Sequence, residues 1–347
     1  MMNKKNIIAY YLPQFHEVEE NNLWWGKGFT EWTALNNAIP YKKWQKIRKP
    51  TELGYYDLTC ANVIEKQFSL ANSYGVDAFC LWTYWFGDGE KILEKPLDII
   101  LENNINVKYC IAWANHSWKN KTKNILLKEQ KYLGVNDYKK FFNYLLPHFK
   151  NNNYIKKNNK PIVTIFDPKS IPDLDVFVSL WNQLAKQEGF DGVFFIGDYT
   201  RSDSLHVDFF SAYLDSSKMF LKRNIVQKIR ERLVRVHKYK FLGPVVYNYR
   251  KMICSLWNDN ADDHREIPVI YPGWDTTIRH GKLGVVFKDF NMKAFEENIK
   301  SSFSFNENND FVFIKSWNEW AEGNVMEPDD IYGKQCLELL RKHKNGY

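Results

Sequence analysis

The chain has 347 residues and is 44% hydrophobic and 26% charged, which excludes a disordered or low-complexity chain and suits one α/β barrel domain. Its net charge is +7, mostly diffuse lysine, and no zinc-finger, helix-turn-helix or RGG pattern points to nucleic acid. The five cysteines include no CxxC pair and read as reduced thiols of a reducing compartment.

The first sixteen residues, MMNKKNIIAYYLPQFH, hold too few apolar residues before Pro13 for a signal-peptide core, which needs about 7–15. The expectation is a cytoplasmic protein without a membrane span, with at most peripheral contact at the inner membrane face. From there, short β-branched or aromatic runs recur: Ile7–Leu12, Val76–Trp82, Val107–Trp113, Ile162–Phe166, Val193–Gly197, Val207–Tyr213, Pro268–Tyr271 and Phe311–Ser316. Each is too short for a core helix and is closed by Gly, Pro, Asp or a polar cluster. Helical spacing separates many of them, over Ala61–Tyr74, Asp137–Phe149, Val176–Glu188 and Met292–Phe303. Strand–helix alternation predicts a parallel sheet with helices outside it. Eight strands predict a single α/β domain over residues 1–347, a closed (β/α)8 TIM barrel with long βα loops and a core of about 7–340.

Two stretches depart from the alternation. A long aromatic loop, PQFHEVEENNLWWGKGFTEWTAL, follows the first strand before any helix; a loop of that length and composition reads as functional. Residues 216–253 form a basic insertion, with nine Lys or Arg between Lys218 and Lys240. It reads as an amphipathic helix, either solvated or in contact with a membrane surface or a lipid-linked glycan.

In a barrel of this kind the site lies at the carboxyl ends of the strands. There the sequence places Tyr11, Gln14, His16, Trp25, Glu31 and Trp32 after the first strand, and Trp82 and Tyr84 at the second. Trp113, Asn115 and Trp118 follow at the third, Asp198 at the fifth, and Trp274 and Asp275 at the seventh. The last strand runs into WNEWAEGNVMEPD, with Trp317, Asn318, Glu319, Trp320, Glu322 and Glu327. Flat rings with interleaved hydrogen-bonding groups suit a sugar, whose C–H faces stack while its hydroxyls need partners. Glycoside cleavage needs two carboxyl groups, one protonated and one ionised. Glu319 and Glu322 fit that need and are the catalytic candidates; the other residues are candidates for substrate binding.

His16, His116, His206, His264 and His280 are scattered, with no HxH or HExxH spacing, so no metal is expected. No dinucleotide fingerprint, P-loop or nucleophile elbow occurs, so no cofactor is expected. The expected partner is an oligosaccharide or polysaccharide.

The segments YYLPQFH, WWGKGFTEW, GYYDL, YGVDAFCLWTYWF, WANHSW, GWDTT and WNEWAEGNVMEPD resemble, in order, the bacterial WbsX-type family, which is related to the family 99 glycoside hydrolases, endo-α-mannosidases and endo-mannanases. The resemblance runs from about Ile7 to Gly333. It implies a (β/α)8 barrel and action on α-linked, mannose-like glycosides with retention, in lipopolysaccharide or capsule metabolism. By the same likeness, Glu319 would be the base that helps the sugar's own 2-hydroxyl attack C1. Glu322 would be the general acid, then the base for the acceptor. Two other readings stay open: a glycosyltransferase using a nucleotide-sugar or lipid-linked donor, and a non-catalytic glycan-binding scaffold.

Overall fold

The computed structural model describes residues 5–120, 123–199, 210–215, 223–254, 256, 265–305 and 310–345. Its central sheet contains eight parallel strands: β1 Asn6–Tyr11, β2 Ala78–Trp85, β3 Tyr109–Trp113, β4 Lys160–Ile165, β5 Phe194–Gly197, β6 Ala212–Tyr213, β7 Val269–Ile270 and β8 Phe311–Ile314. Every expected run carries one of them. Residues 207–209 of the sixth run lie outside the described residues. The strands pair in barrel order, from β6 through β5, β4, β3, β2 and β1 to β8 and then β7. Closure is the point of difference: among the described residues, no ladder joins β6 to β7. Both flanking strands are two residues long, too short to present a continuous edge.

β1, β3 and β4 are buried along almost their whole length, as parallel strands covered on both faces are. Ala9 pairs with both Phe79 and Ile314, which fixes the register of the seam between first and last strands. The helices are α1 Glu19–Trp25, α2 Glu31–Asn36, α3 Ala61–Ser73, α4 Lys95–Glu102, α5 Val135–Lys150 and α6 Leu174–Gln187. They continue as α7 Ile225–Arg235, α8 Tyr249–Cys254, α9 Thr277–His280, α10 Met292–Ser304 and α11 Gln335–Lys344. The four expected helices correspond to α3, α5, α6 and α10.

The outer layer is tied on by rings. Phe141 of α5 stacks on Trp85 at 4.9 Å and meets Trp181 of α6 at 5.3 Å. Each such fully buried large side chain contributes about 1.5–3 kcal/mol. The aromatic loop after β1, expected to run on before any helix, folds into α1 and α2. Thr30 caps α2 reciprocally with Thr33, a short-range signal hidden among the tryptophans.

Candidate active site

The segment after β8 builds the floor. Asn318–Glu319 pairs antiparallel with Asn324–Val325, and Trp320–Glu322 forms a 3-10 turn between them. The Asn318 amide holds both backbone groups of Leu12, accepting from its N–H at 2.7 Å and donating to its carbonyl at 3.0 Å. This pins the turn to the end of β1. Gly323 closes the turn at φ +57°, where a Cβ would meet the Asp275 Cβ at 2.8 Å. The Asp275 N–H donates to the Glu322 carbonyl at 2.6 Å. Gly323 therefore serves both the left-handed turn and the close approach of the β7 and β8 loops.

Three carboxylates surround one guanidinium. Arg279, on α9, lies 2.8 Å from Glu322 Oε1, 3.1 Å from Glu31 Oε2 and 3.8 Å from Glu319 Oε2. Glu319 is 8% exposed. Burial first, then the Glu322 charge, pushes its carboxyl up to about 8, against the opposing pull of Arg279. Glu319 Oε2 has no hydrogen-bond partner among the described residues. A carboxyl that holds its proton to neutral pH is a stronger base than an ordinary glutamate once ionised, and catalytic groups work best with pKa values near the working pH.

Above the turn opens a cleft of about 750 Å³, the size of an oligosaccharide or drug-sized site. Nine expected residues line it: Gln14, Trp25, Glu31, Trp82, Tyr84, Trp118, Trp274, Glu319 and Glu322. Gln14 donates to Tyr84 Oη at 3.1 Å, and Tyr84 meets the Trp118 ring edge-on at 4.9 Å. Trp25 stacks on Phe29 at 5.6 Å and is 45% exposed, leaving ring surface free at the cleft wall.

The other eleven do not line the cleft. Tyr11 points outward and donates to Gln67 of α3 at 2.6 Å. Trp113 packs against Phe141 and Phe177, its indole N–H on the Trp85 carbonyl. Asn115 ties the backbone of Asp167 at 2.7 and 2.8 Å. Trp317 is fully buried against Phe79, and His16 is buried. Trp32 donates to the Tyr56 carbonyl, and Asn318 serves the turn as above. Asp198 accepts from Lys315 at 2.7 Å and Tyr10 at 3.1 Å. Asp275 holds Gln45 and Thr277. Trp320 donates to Glu327 at 2.6 Å, and Glu327 also accepts from Tyr56 and Gln67. Burial pushes Glu327 up to about 7 against those three donors. These residues form the wall behind the cleft and hold its lining in place.

Strand pleating explains many of these placements. Side chains alternate across a strand, so Leu12 and Gln14 face the cleft while Tyr11 faces α3. Trp82 and Tyr84 face the cleft while Trp85 reaches Asp137 of α5. Ala114 and His116 line the cleft while Trp113 and Asn115 do not.

Arg279 and His116, which strand-end position in the sequence also points to, line the cleft, as do Tyr271, Lys315, Ser316 and Asn324, which the sequence did not single out. Tyr271 Oη and Asn324 Oδ1 are buried without a hydrogen-bond partner among the described residues. A period-two reading of the last strand's end would also have found Lys315. Among the described residues, no group of three or more His, Cys, Asp or Glu is arranged to hold a metal ion.

The sequence matches the profile of the family described as Glycosyltransferase WbsX over residues 7–340. The chain belongs to the WbsX family. Two curated relatives, each called uncharacterized protein WxcX and from two strains of Xanthomonas campestris pv. campestris, are 28% identical over 351 residues, covering 97% of this chain and 49% of their own. The chain thus spans about half the length of the curated relatives it matches. Among solved structures, the GH99 endo-alpha-mannosidase from Bacteroides thetaiotaomicron in complex with BIS-TRIS-propane aligns at TM-score 0.59 and 15% identity, covering 98% of this chain and 96% of that one. A glycoside hydrolase-like protein aligns at TM-score 0.58 and 16% identity, covering 98% and 94%. At those identities the likeness is one of fold.

Proposed function

We propose that this WbsX protein cleaves or transfers α-linked, mannose-like glycosides with retention, using Glu319 and Glu322. The observation that carries the reading is the turn Glu319–Glu322, which presents both carboxyls to an aromatic cleft with Arg279 between them. In the first step Glu319 takes the proton of the sugar 2-hydroxyl as that oxygen bonds to C1. The C1–leaving-group bond breaks, and Glu322 gives its proton to the departing oxygen. In the second step Glu322 takes a proton from water or an acceptor hydroxyl, which bonds to C1. The C1–O2 bond opens, and O2 regains its proton from Glu319. Two inversions at C1 give net retention.

Glu319 rests with its proton and must lose it before it acts as the base, while the general-acid role asks Glu322 to deliver one. Glu31, Glu319 and Glu322 around one arginine make a carboxylate-rich site, which favours the positive charge that develops at C1. Tyr271, Asn324 and Gln14 offer hydroxyl partners, and Trp25, Trp82 and Trp274 offer ring faces. A place in bacterial lipopolysaccharide or capsule metabolism fits the family and is part of the proposal.

The family description favours a second reading, transfer from a nucleotide-sugar or lipid-linked donor. Leaving-group dependence separates the two. Turnover of simple aryl α-glycosides without any activated donor supports the first reading. Turnover that starts only on adding a nucleotide-sugar or lipid-linked sugar overturns it.

A further inference from the structure

Helix α7 faces the wrong way for a water-exposed helix. An amphipathic helix of a soluble protein turns its apolar stripe to the core. Here the core-facing residues are Glu231 and Val234. Glu231 is fixed there by Arg223, Arg235 and the Tyr247 hydroxyl. The stripe of Ile225, Val226, Ile229 and Leu233 is exposed, at 73%, 69%, 55% and 37%. At 3.6 residues per turn these four span roughly 100° on the side opposite Glu231 and Val234. Val236 and Phe241, just beyond the helix, are exposed at 49% and 64%. Of the eighteen large apolar residues exposed among the described residues, seven fall within positions 225–241, so this is a patch and not scattered surface hydrophobicity.

Charge identifies the occupant. Helical spacing puts Lys228, Arg232 and Arg235 along one flank of the stripe and Arg230 along the other. Glu231 is the one acidic residue from Arg223 to Leu242, and it is buried. Long basic side chains beside an outward apolar stripe allow the stripe to enter a bilayer interface while the cations reach the headgroup phosphates. A protein partner with an acidic rim is the competing fit, but cations on both flanks with no exposed acid among them match a uniformly anionic surface better. We propose that α7 and the turn after it dock this protein onto an anionic lipid bilayer. The docked face adjoins the site: α7 packs against Gly281–Leu283, the turn directly after Arg279 and His280. Among the described residues no helix is long and apolar enough to cross a membrane, and surface docking needs none.

The test is co-sedimentation of the full chain with vesicles of phosphatidylglycerol and phosphatidylcholine in equal parts, beside vesicles of phosphatidylcholine alone. The expected result is binding to the anionic vesicles that weakens with salt. Ile225→Glu/Ile229→Glu, at exposed positions outside the cleft, should lower the partition coefficient more than tenfold while the thermal melt stays unchanged. Arg232→Gln should lower it about fivefold, the effect of one cation near an anionic surface. Absence of binding to anionic vesicles overturns the proposal, as does binding untouched by both variants. A concentration-dependent dimer in sedimentation velocity, lost in the isoleucine variant while vesicles go unbound, would assign the stripe to a second copy of the chain instead.

Discussion

Arg279 sets how readily Glu319 ionises, and removing it gives a measurable shift. Two unit charges 3.8 Å apart attract by about 4 kcal/mol at an effective dielectric constant of about 20. The Arg279 side chain is 30% exposed, so water screens the pair and about 1–2 kcal/mol is the realistic share. Arg279→Gln should therefore cut the ionised fraction of Glu319 at neutral pH about five- to thirtyfold. The assay is a pH titration of the side-chain carboxyl resonances by carbon-13 NMR, with Glu319→Gln to assign the signal. Wild type should show a carboxyl titrating at about 8, absent from Glu319→Gln and moved upward in Arg279→Gln. A Glu319 signal that titrates in the ordinary carboxylate range, or one that Arg279→Gln leaves in place, refutes the electrostatic account. This experiment needs no substrate.

Other consequences follow from the same turn. Loss of Glu322 as Glu322→Gln should cost about 10²–10⁴-fold in rate, with partial rescue by an activated leaving group; equal loss on good and poor leaving groups would remove it from the general-acid role. The folded-state pKa of Glu319, about 8, lies above the unfolded value, so its stabilising contribution is present below pH ~4.5 and is lost as pH rises through about 8. Glu319→Gln should then match wild type in urea unfolding at pH ~5 and exceed it by a few kcal/mol at pH ~9; equal stability at both would show that Glu319 ionises without cost. Gly323→Ala should destabilise the fold by at least about 1–2 kcal/mol, from the left-handed backbone alone, and lower turnover; a neutral melt would mean the turn relaxes. Trp274→Ala should weaken glycan binding by about 1–3 kcal/mol; unchanged affinity by calorimetry would take that ring out of the subsites.

Much of the scaffold was legible because buried parallel strands are apolar on both faces and stand out as short unbroken runs. The eight runs could be placed within a few residues, and their carboxyl ends led to Glu319 and Glu322. Strand-end position alone overreached, because it ignored the pleat. Tyr11 and Trp113 lie at the right height but on the helix-facing side, and the two-residue period already distinguishes them from Leu12 and Ala114. Glu327 and Trp320 lie behind the cleft for another reason, with Glu327 orienting neighbouring groups. Their position in the motif says nothing of Tyr56 and Gln67, which lie some 260–271 residues away in sequence yet bury Glu327 in a hydrogen-bonded network. Arg279 was visible in the sequence as GWDTTIRHG, but its contact with Glu31, Glu319 and Glu322 joins three separate loops and exists only in the fold. The sixth run gave the weakest signal, and among the described residues no ladder joins its strand to β7.

The central claim is that Glu319 and Glu322 together process α-linked sugars with retention. Time-resolved proton NMR of α-mannosyl fluoride and aryl α-mannosides tests it most directly, with wild type beside Glu319→Gln and Glu322→Gln. The account predicts an α-anomeric first product from wild type and loss of fluoride turnover in Glu319→Gln, with Glu322→Gln retaining more activity on the fluoride than on the aryl mannosides. A β-anomeric first product, or turnover unaffected by either substitution, would contradict it.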